Sequence, residues 1–323
     1  MKKALQETLC AIWMGMVVPG LILAVLVMFW ERDKPALEGE TVPTTGAETL
    51  SVLVRWQDGR TEQMDMDEYL TGVVLAEMPA FFEPEALKAQ AVAARTYSEK
   101  ASVTGGKHGD GSVCTDYACC QAYQSPEEYL QKGGSREDLQ KIRSAVDDTS
   151  GFVLTYQGEL IEAVYFSCSG GKTEDAAAVW GTDYPYLRAT DSPGEENAAH
   201  YLDTKSFTPV EFQQALGVSL VGEPASWFGQ LTRTSGGGVE SLEIGGKKYT
   251  GVELRKALGL RSTAFTITIE DNLLRVETRG FGHRVGMSQY GADAMAAAGA
   301  DYRQILGHYY PGTVLEKSFP ENG

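Results

Sequence analysis

An α+β fold is predicted, with helices packed against antiparallel hairpins in one exterior domain. Two observations carry it. Extended runs meet at Asp58-Gly59, Gln157-Gly158, Gly245-Gly246 and Asp271-Asn272, turn pairs that close hairpins. Around them lie segments with helical spacing, over 66–78, 83–101, 135–149, 287–298 and 301–309.

The elements follow in order. From Thr8 to Trp30 there are 23 residues without a charge, long enough to cross a bilayer core of roughly 30 Å at about 1.5 Å per residue. Lys2 and Lys3 precede the run and a mixed-sign cluster follows it, so residues 1–34 read as a cytoplasmic tail and transmembrane anchor with the rest outside. A cleaved signal peptide is the alternative, but no small-x-small exit precedes Trp30. Residues 35–50, rich in Pro, Gly and Thr, read as a linker, and residues 51–323 as the functional domain. Within that domain "MDEYLTGVVLAEM" is the first helix and stops at Pro79. Pro84 suits the first turn of a second, Ala-rich helix. A Gly- and Cys-bearing loop covers roughly 104–122, and Ser135 caps a third helix with Asp138 three residues on.

The formal net charge of −16 repels phosphate backbones and argues against a nucleic-acid partner. Five cysteines, an odd and clustered set, are a poor disulfide framework for 323 residues.

Glu77 stands out. Leu70, Val73, Val74 and Glu77 fall at i, i+3, i+4 and i+7, one face of the first helix and the face its pattern assigns to the core. A carboxylate there must pair with a cation, accept hydrogen bonds or stay protonated. A protonated carboxyl at neutral pH suits a general acid, as in enzymes that protonate a leaving glycosidic oxygen. Lys88 and Arg95, seven apart on the second helix, are candidate neighbours that would stabilise its ionised form or clamp an anionic substrate group. A structural ion pair without chemistry is the competing reading.

His108, Cys114, Cys119 and Cys120 offer three thiols and an imidazole, a donor set for tetrahedral zinc whose spacing is not a zinc-finger pattern. Cys114–Cys119 or Cys114–Cys120 disulfides are the alternative in an exterior domain. Ser167 and Ser169 in "YFSCSGGKTED" suit close approach to sugar hydroxyls, or else form an ordinary turn. Cys168 between them reads as a small buried residue. In "GFGHRVGMSQYGADAMA", His283, Gln289 and Tyr290 either line a cleft or belong to a structural turn.

The stretch "VVLAEMPAFFEPEALKAQAVAARTY" resembles the signature of the stage II sporulation protein D family, membrane-anchored lytic transglycosylases of endospore formers. The likeness continues through "YFSCSGGKTED", "VWGTDYPYL", "GFGHRVGMSQYGADAMA" and "ILGHYYPGT", which is nearly the whole exterior part. The resemblance implies that Glu77 is the catalytic acid/base and that Lys88 and Arg95 lie on the same functional helix. It implies cleavage of peptide-stripped peptidoglycan strands between N-acetylmuramic acid and N-acetylglucosamine, with a 1,6-anhydro product, during engulfment in sporulation. The lactyl carboxylate freed by stripping is an expected partner for Lys88 or Arg95.

The resemblance further implies a zinc held by Cys and His in the 104–122 loop, with Cys119 standing where a His would be expected. It implies a mother-cell membrane location facing the wall, and two partners: a cell-wall amidase/endopeptidase and a multi-span scaffold. Two departures are visible, Phe166 in place of a His before Ser167 and Arg284 in place of a Gly. Related domains are described as amidase enhancers, so a non-catalytic glycan-binding partner is the alternative function. A water-using glycoside hydrolase is another.

Overall fold

The computed structural model describes residues 50–318, so the expected anchor over residues 1–34 and almost all of the linker lie outside the described residues. Among the described residues no helix is long and apolar enough to cross a membrane. The predicted mixture of helices and antiparallel hairpins is present.

β1 (Ser51–Arg55) turns back through Gly59 into β2 (Thr61–Asp65). Asp65 then caps α1 (Met66–Glu77), its carboxylate accepting from the N–H groups of Asp67 and Glu68 at 2.9 and 3.0 Å. Pro79 ends the helix through its neighbour: Met78 is forced to extended backbone, φ −125° and ψ 140°, as residues before proline are. α2 (Pro84–Thr104) starts on its proline and closes on Gly105 at φ +86°, a left-handed cap that favours glycine. Ala86, Ala89, Ala91, Ala93 and Ala94 are all fully buried, so α2 runs through the centre of the molecule with its neighbours packed close.

After β3 (Val113–Cys114), which adds parallel to β1, come α3 (Pro126–Gln131) and α4 (Arg136–Asp148). Ser135 caps α4 by accepting from Asp138 N at 3.0 Å. β4 (Phe152–Tyr156) hairpins to β5 (Glu159–Leu160) through Gln157-Gly158. β6 (Tyr165–Phe166) and the five-residue α5 (Ala176–Trp180) complete the first half of this layer.

Residues 202–279 then build a part with its own core. β7 (Leu202–Phe207), α6 (Pro209–Leu216), β8 (Phe228–Arg233), β9 (Val239–Ile244), β10 (Lys247–Thr250), α7 (Gly251–Ala257), β11 (Phe265–Glu270) and β12 (Leu273–Arg279) form sheets ordered β10-β9-β8 and β11-β12-β7. Phe212, Trp227, Leu242, Leu254, Phe265 and Leu274 are buried among themselves. The chain returns through β13 (Met287–Ser288), parallel to β6, then α8 (Gln289–Ala297), α9 (Tyr302–Tyr309) and β14 (Val314–Lys317) beside β4.

The described residues belong to one compact unit, which holds two separate apolar cores. The larger is centred on α1 and α2. Leu70, Val73 and Val74 are fully buried in it, each contributing about 1.5–3 kcal/mol relative to exposure. Glu77, next on that face, is half-buried.

Candidate active site and metal centre

Glu77 sits at the last turn of α1, where the break at Met78-Pro79 opens the helix end. Its Oε1 accepts from the backbone N–H of Ala122 at 2.7 Å, and its Oε2 lies 3.4 Å from the Gln289 side-chain nitrogen. Burial pushes the Glu77 carboxyl above the usual carboxylate range, and these two donors only partly oppose it. Glu77 has no ion-pair partner among the described residues.

The donor at Ala122 arrives because Gly72 lacks a side chain. A Cβ at Gly72 would lie 2.3 Å from the ring of Tyr123, so the glycine lets the 121–124 segment lie directly on α1. Gln124 N donates to the Gly72 carbonyl at 3.1 Å, and the Tyr123 ring stacks on Tyr69 with centroids 5.8 Å apart. Gln289 is delivered from the other side. Ser288 caps α8, and the preceding Met287 pairs with Tyr165 across β6 and β13.

Two expected neighbours are elsewhere. Lys88 Nζ lies 3.0 Å from both Glu85 and Asp148, facing α4 rather than Glu77. Arg95 is 1% exposed and bound to Asp67 at 2.6 Å. Asp67 is ten residues before Glu77, about 15 Å along α1. Seven-residue spacing put both cations on one face of α2, but that face meets acids on α4 and at the far end of α1. Lys88→Ala is therefore expected to leave glycan affinity within twofold and to change stability by about 1 kcal/mol or less, read by strand binding and urea unfolding.

The two serines also separate. Ser167 is half-buried, and its carbonyl accepts from Tyr290 N at 3.1 Å, which ties β6 to α8. Ser169 is fully buried and does not face a cleft. Its Oγ lies 2.9 Å from both carboxylate oxygens of Glu195, and its N–H donates to the same group at 2.7 Å. Cys168 Sγ, Gly170 N and Ser192 Oγ complete that socket at 3.1, 3.1 and 2.5 Å. The Ser-Cys-Ser-Gly-Gly turn holds a buried glutamate 26 residues after Ser169, so the Ser169 hydroxyl is spent inside. Cys168 is the buried thiol expected of it.

His283 packs between Phe166 and the half-exposed Trp180, centroids 5.6 and 5.2 Å away. Burial, with the charges of Arg255 and Lys107, pulls its pKa down to about 4. Its Nδ1 accepts from Val285 N at 3.1 Å, so the ring is neutral and carries its proton on Nε2. Tyr290 sets its ring edge-on against Phe82 at 4.9 Å, beside the loop that Lys141 pins through the carbonyls of Ala80 and Phe82.

The ligand atoms of His108, Cys114, Cys119 and Cys120 lie within 4.8 Å of one another. Cys119 Sγ is 3.8 Å from both Cys120 Sγ and His108 Nε2, and Cys120 Sγ is 3.6 Å from that nitrogen. Zinc bonds of about 2.3 Å to sulfur in a tetrahedron put ligands about 3.8 Å apart, so the spacing fits such an ion. A disulfide needs sulfurs about 2.05 Å apart, and all four described cysteines are free thiols. Lys107 donates to the Cys119 carbonyl and sits over the Tyr97 ring, at 5.9 Å from its centroid.

Comparison with other proteins places the chain. It is 42% identical over 282 residues to stage II sporulation protein D of Bacillus amyloliquefaciens, an alignment covering 85% of this chain and 81% of that one. The chain belongs to the stage II sporulation protein D family. The Bacillus subtilis (strain 168) member is 41% identical over 300 residues, covering 89% and 86%. A family model described as Stage II sporulation protein matches residues 57–156, which contain Glu77, Ala122 and all four candidate metal ligands. A B. subtilis protein named amidase enhancer is 30% identical over 311 residues; the alignment covers 76% of this chain but 40% of that protein.

Sequence reasoning missed Gln121, Ala122 and Tyr165. Ala122 acts through its backbone N–H, which every residue but proline carries, so nothing in its identity marks it. The available signal was Gly72, a glycine in the middle of a helix whose neighbours are otherwise apolar.

Proposed function

We propose that this family member is a lytic transglycosylase acting on peptide-stripped peptidoglycan strands during sporulation, with Glu77 as its acid and base. The observation that carries the reading is the half-buried Glu77 carboxyl, without an ion-pair partner among the described residues, that burial holds toward its protonated form. In this mechanism the Glu77 carboxyl gives its proton to the oxygen between N-acetylmuramic acid and N-acetylglucosamine as the C1–O bond breaks. The muramic 6-hydroxyl oxygen then bonds to C1, and its proton returns to the Glu77 carboxylate. One sugar leaves with a free hydroxyl, the other as its 1,6-anhydro form, and no water is consumed.

A hydrolase would need a second positioned carboxylate for water or for a covalent intermediate. Glu85 pairs with Lys88, Glu174 with Arg284, and Asp183 with Arg188. Glu83 is exposed at the start of α2, and Ala122 N–H and the Gln289 amide are the only groups hydrogen-bonded to Glu77 among the described residues. Asp293, one turn after Gln289 on α8, accepts from Glu83 N at 2.7 Å and is not hydrogen-bonded to Glu77; none of these five carboxyls contacts the acid, which favours the one-carboxyl route.

In the same reading His108, Cys114, Cys119 and Cys120 hold zinc. Four protein ligands close its tetrahedron, so the ion would supply structure to the loop that carries Ala122. Residues 1–34 anchor the chain in the mother-cell membrane with its domain facing the wall. An amidase/endopeptidase that strips the stem peptides and a multi-span membrane scaffold are its expected partners. The relative named amidase enhancer supports a second reading, a glycan-binding activator without chemistry.

Mass spectrometry of digested, peptide-free strands separates the possibilities. Anhydro ends support the transglycosylase, reducing ends make the protein a hydrolase, and uncut strands make it a binder. Metal analysis of the purified chain is expected to give one zinc per chain, and loss of that zinc in Cys120→Ala; an intact zinc content in that variant would remove Cys120 from the set.

A further inference from the structure

We propose that Gln121 is a positioning residue for Glu77, its pinned side-chain amide holding both hydrogen-bond donors on the Glu77 carboxyl. This rests on the catalytic reading of Glu77 and deepens it.

Gln121 is 1% exposed, and its neighbours in the chain are the candidate ligand Cys120 and the donor Ala122. Its amide meets three hydroxyls on three different elements. Oε1 accepts from Tyr165 OH of β6 at 2.9 Å. Nε2 donates to Ser98 Oγ of α2 at 3.0 Å and to Tyr69 OH of α1 at 3.2 Å. Ser98 spends its own hydrogen on the Ala94 carbonyl at 2.8 Å, so it can only accept from Gln121. That fixes which end of the amide faces α2, and the three contacts together hold the side chain, and so the Cα it hangs from, against α1, α2 and β6.

Both donors to Glu77 depend on this anchorage. Ala122 N–H follows directly from the placement of Gln121. Gln289 follows through Tyr165, which pairs with Met287 two residues ahead of it. Tyr69 lies on the same helix as Glu77, two turns earlier, so the amide ties the loop to the element that carries the acid. A buried amide satisfied at three points resists displacement, because moving it leaves the Tyr69 and Tyr165 hydroxyls and the Gln121 Oε1 without these partners.

The test uses the zinc-loaded full chain in detergent, with hydrogen exchange of the peptide over 119–124 and strand-cleavage kinetics. Gln121→Ala is expected to speed exchange at Ala122 by about 10-fold or more and to lower kcat by a similar factor, with KM within twofold and zinc content unchanged. Tyr165→Phe, which deletes only the hydroxyl on Oε1, is expected to move both in the same direction by less. It carries the test should Gln121→Ala fail to fold. Unchanged exchange at Ala122 in folded variants, or a rate that falls only with the folded fraction, overturns the proposal. The exchange readout does not depend on cutting. Persistent cleavage by Glu77→Gln would refute the catalytic reading alone and leave the positioning result standing.

Discussion

Glu77→Gln is expected to lower strand cleavage by about 10²–10⁴-fold, the usual contribution of a positioned general acid, while the chain stays folded. A glutamine has nearly the same volume and keeps an oxygen for Ala122 N–H, but has no proton to give to a leaving oxygen. The stability change has a definite sign. Glu77's folded pKa is raised above the ordinary 4.5 by burial, so the folded state favours the neutral carboxyl. Below pH 4.5 both folded and unfolded chains hold the proton and Glu77 costs nothing. As pH rises from there through the raised folded pKa, the unfolded carboxyl ionises first and the native state loses stability relative to it. The Gln variant lacks this loss. Its thermal midpoint should match the parent at acid pH and equal or exceed it at about pH 7. Wild-type turnover should fall on the alkaline side as the acid loses its proton. Anhydro products from the variant at parental rate would remove Glu77 from the mechanism.

Arg284→Ala should destabilise the chain by about 3–5 kcal/mol, the range for breaking a buried ion pair from one side. Arg284 and Glu174 side chains are 2% and 1% exposed and meet at 3.0 Å. The guanidinium also donates to the carbonyls of Ser169, Lys172 and Gly236 at 2.7, 2.6 and 2.9 Å. Glu174 accepts in turn from Thr234 Oγ1 and Gly238 N, both at 2.9 Å. Removing the arginine leaves a carboxylate sealed in with two neutral donors. Arg284 holds φ +67°, a region that disfavours side chains. Arg284→Gly should therefore recover about 1 kcal/mol of backbone strain while still losing the pair. Adding Glu174→Gln to Arg284→Ala should restore part of the loss by removing the stranded charge. Urea unfolding reads all three, and a loss under about 1 kcal/mol for Arg284→Ala would contradict the buried-pair account.

Much of the framework was legible because its signals are local. Apolar spacing marked α1, α2, α4, α8 and α9, and turn pairs marked the hairpins at Gly59, Gly158, Gly246 and Asn272. The site was legible in part. Glu77 announced itself by interrupting an apolar face, and the four metal-ligand candidates by their residue types. What escaped was long-range. Lys88 and Arg95 find acids on other helices, Ser169 is absorbed by Glu195, and Gln121 matters through three hydroxyls 23 to 52 residues away. The α6 and α7 helices, eight and seven residues long, were too short for their periodicity to register.

The part built from residues 202–279 leaves and rejoins the chain at one doorway. Leu202 pairs with Arg279, and Gly280 N donates to the Tyr201 carbonyl at 2.8 Å. A segment that departs and returns at one spot behaves as a cassette. Such a segment can be lengthened, trimmed or exchanged without redrawing the route of the chain past Glu77. The bonds that Arg284 and Glu174 make to the 234–238 loop are the clasp any substitute would have to match, so changes in this cassette and at positions 174 and 284 should travel together.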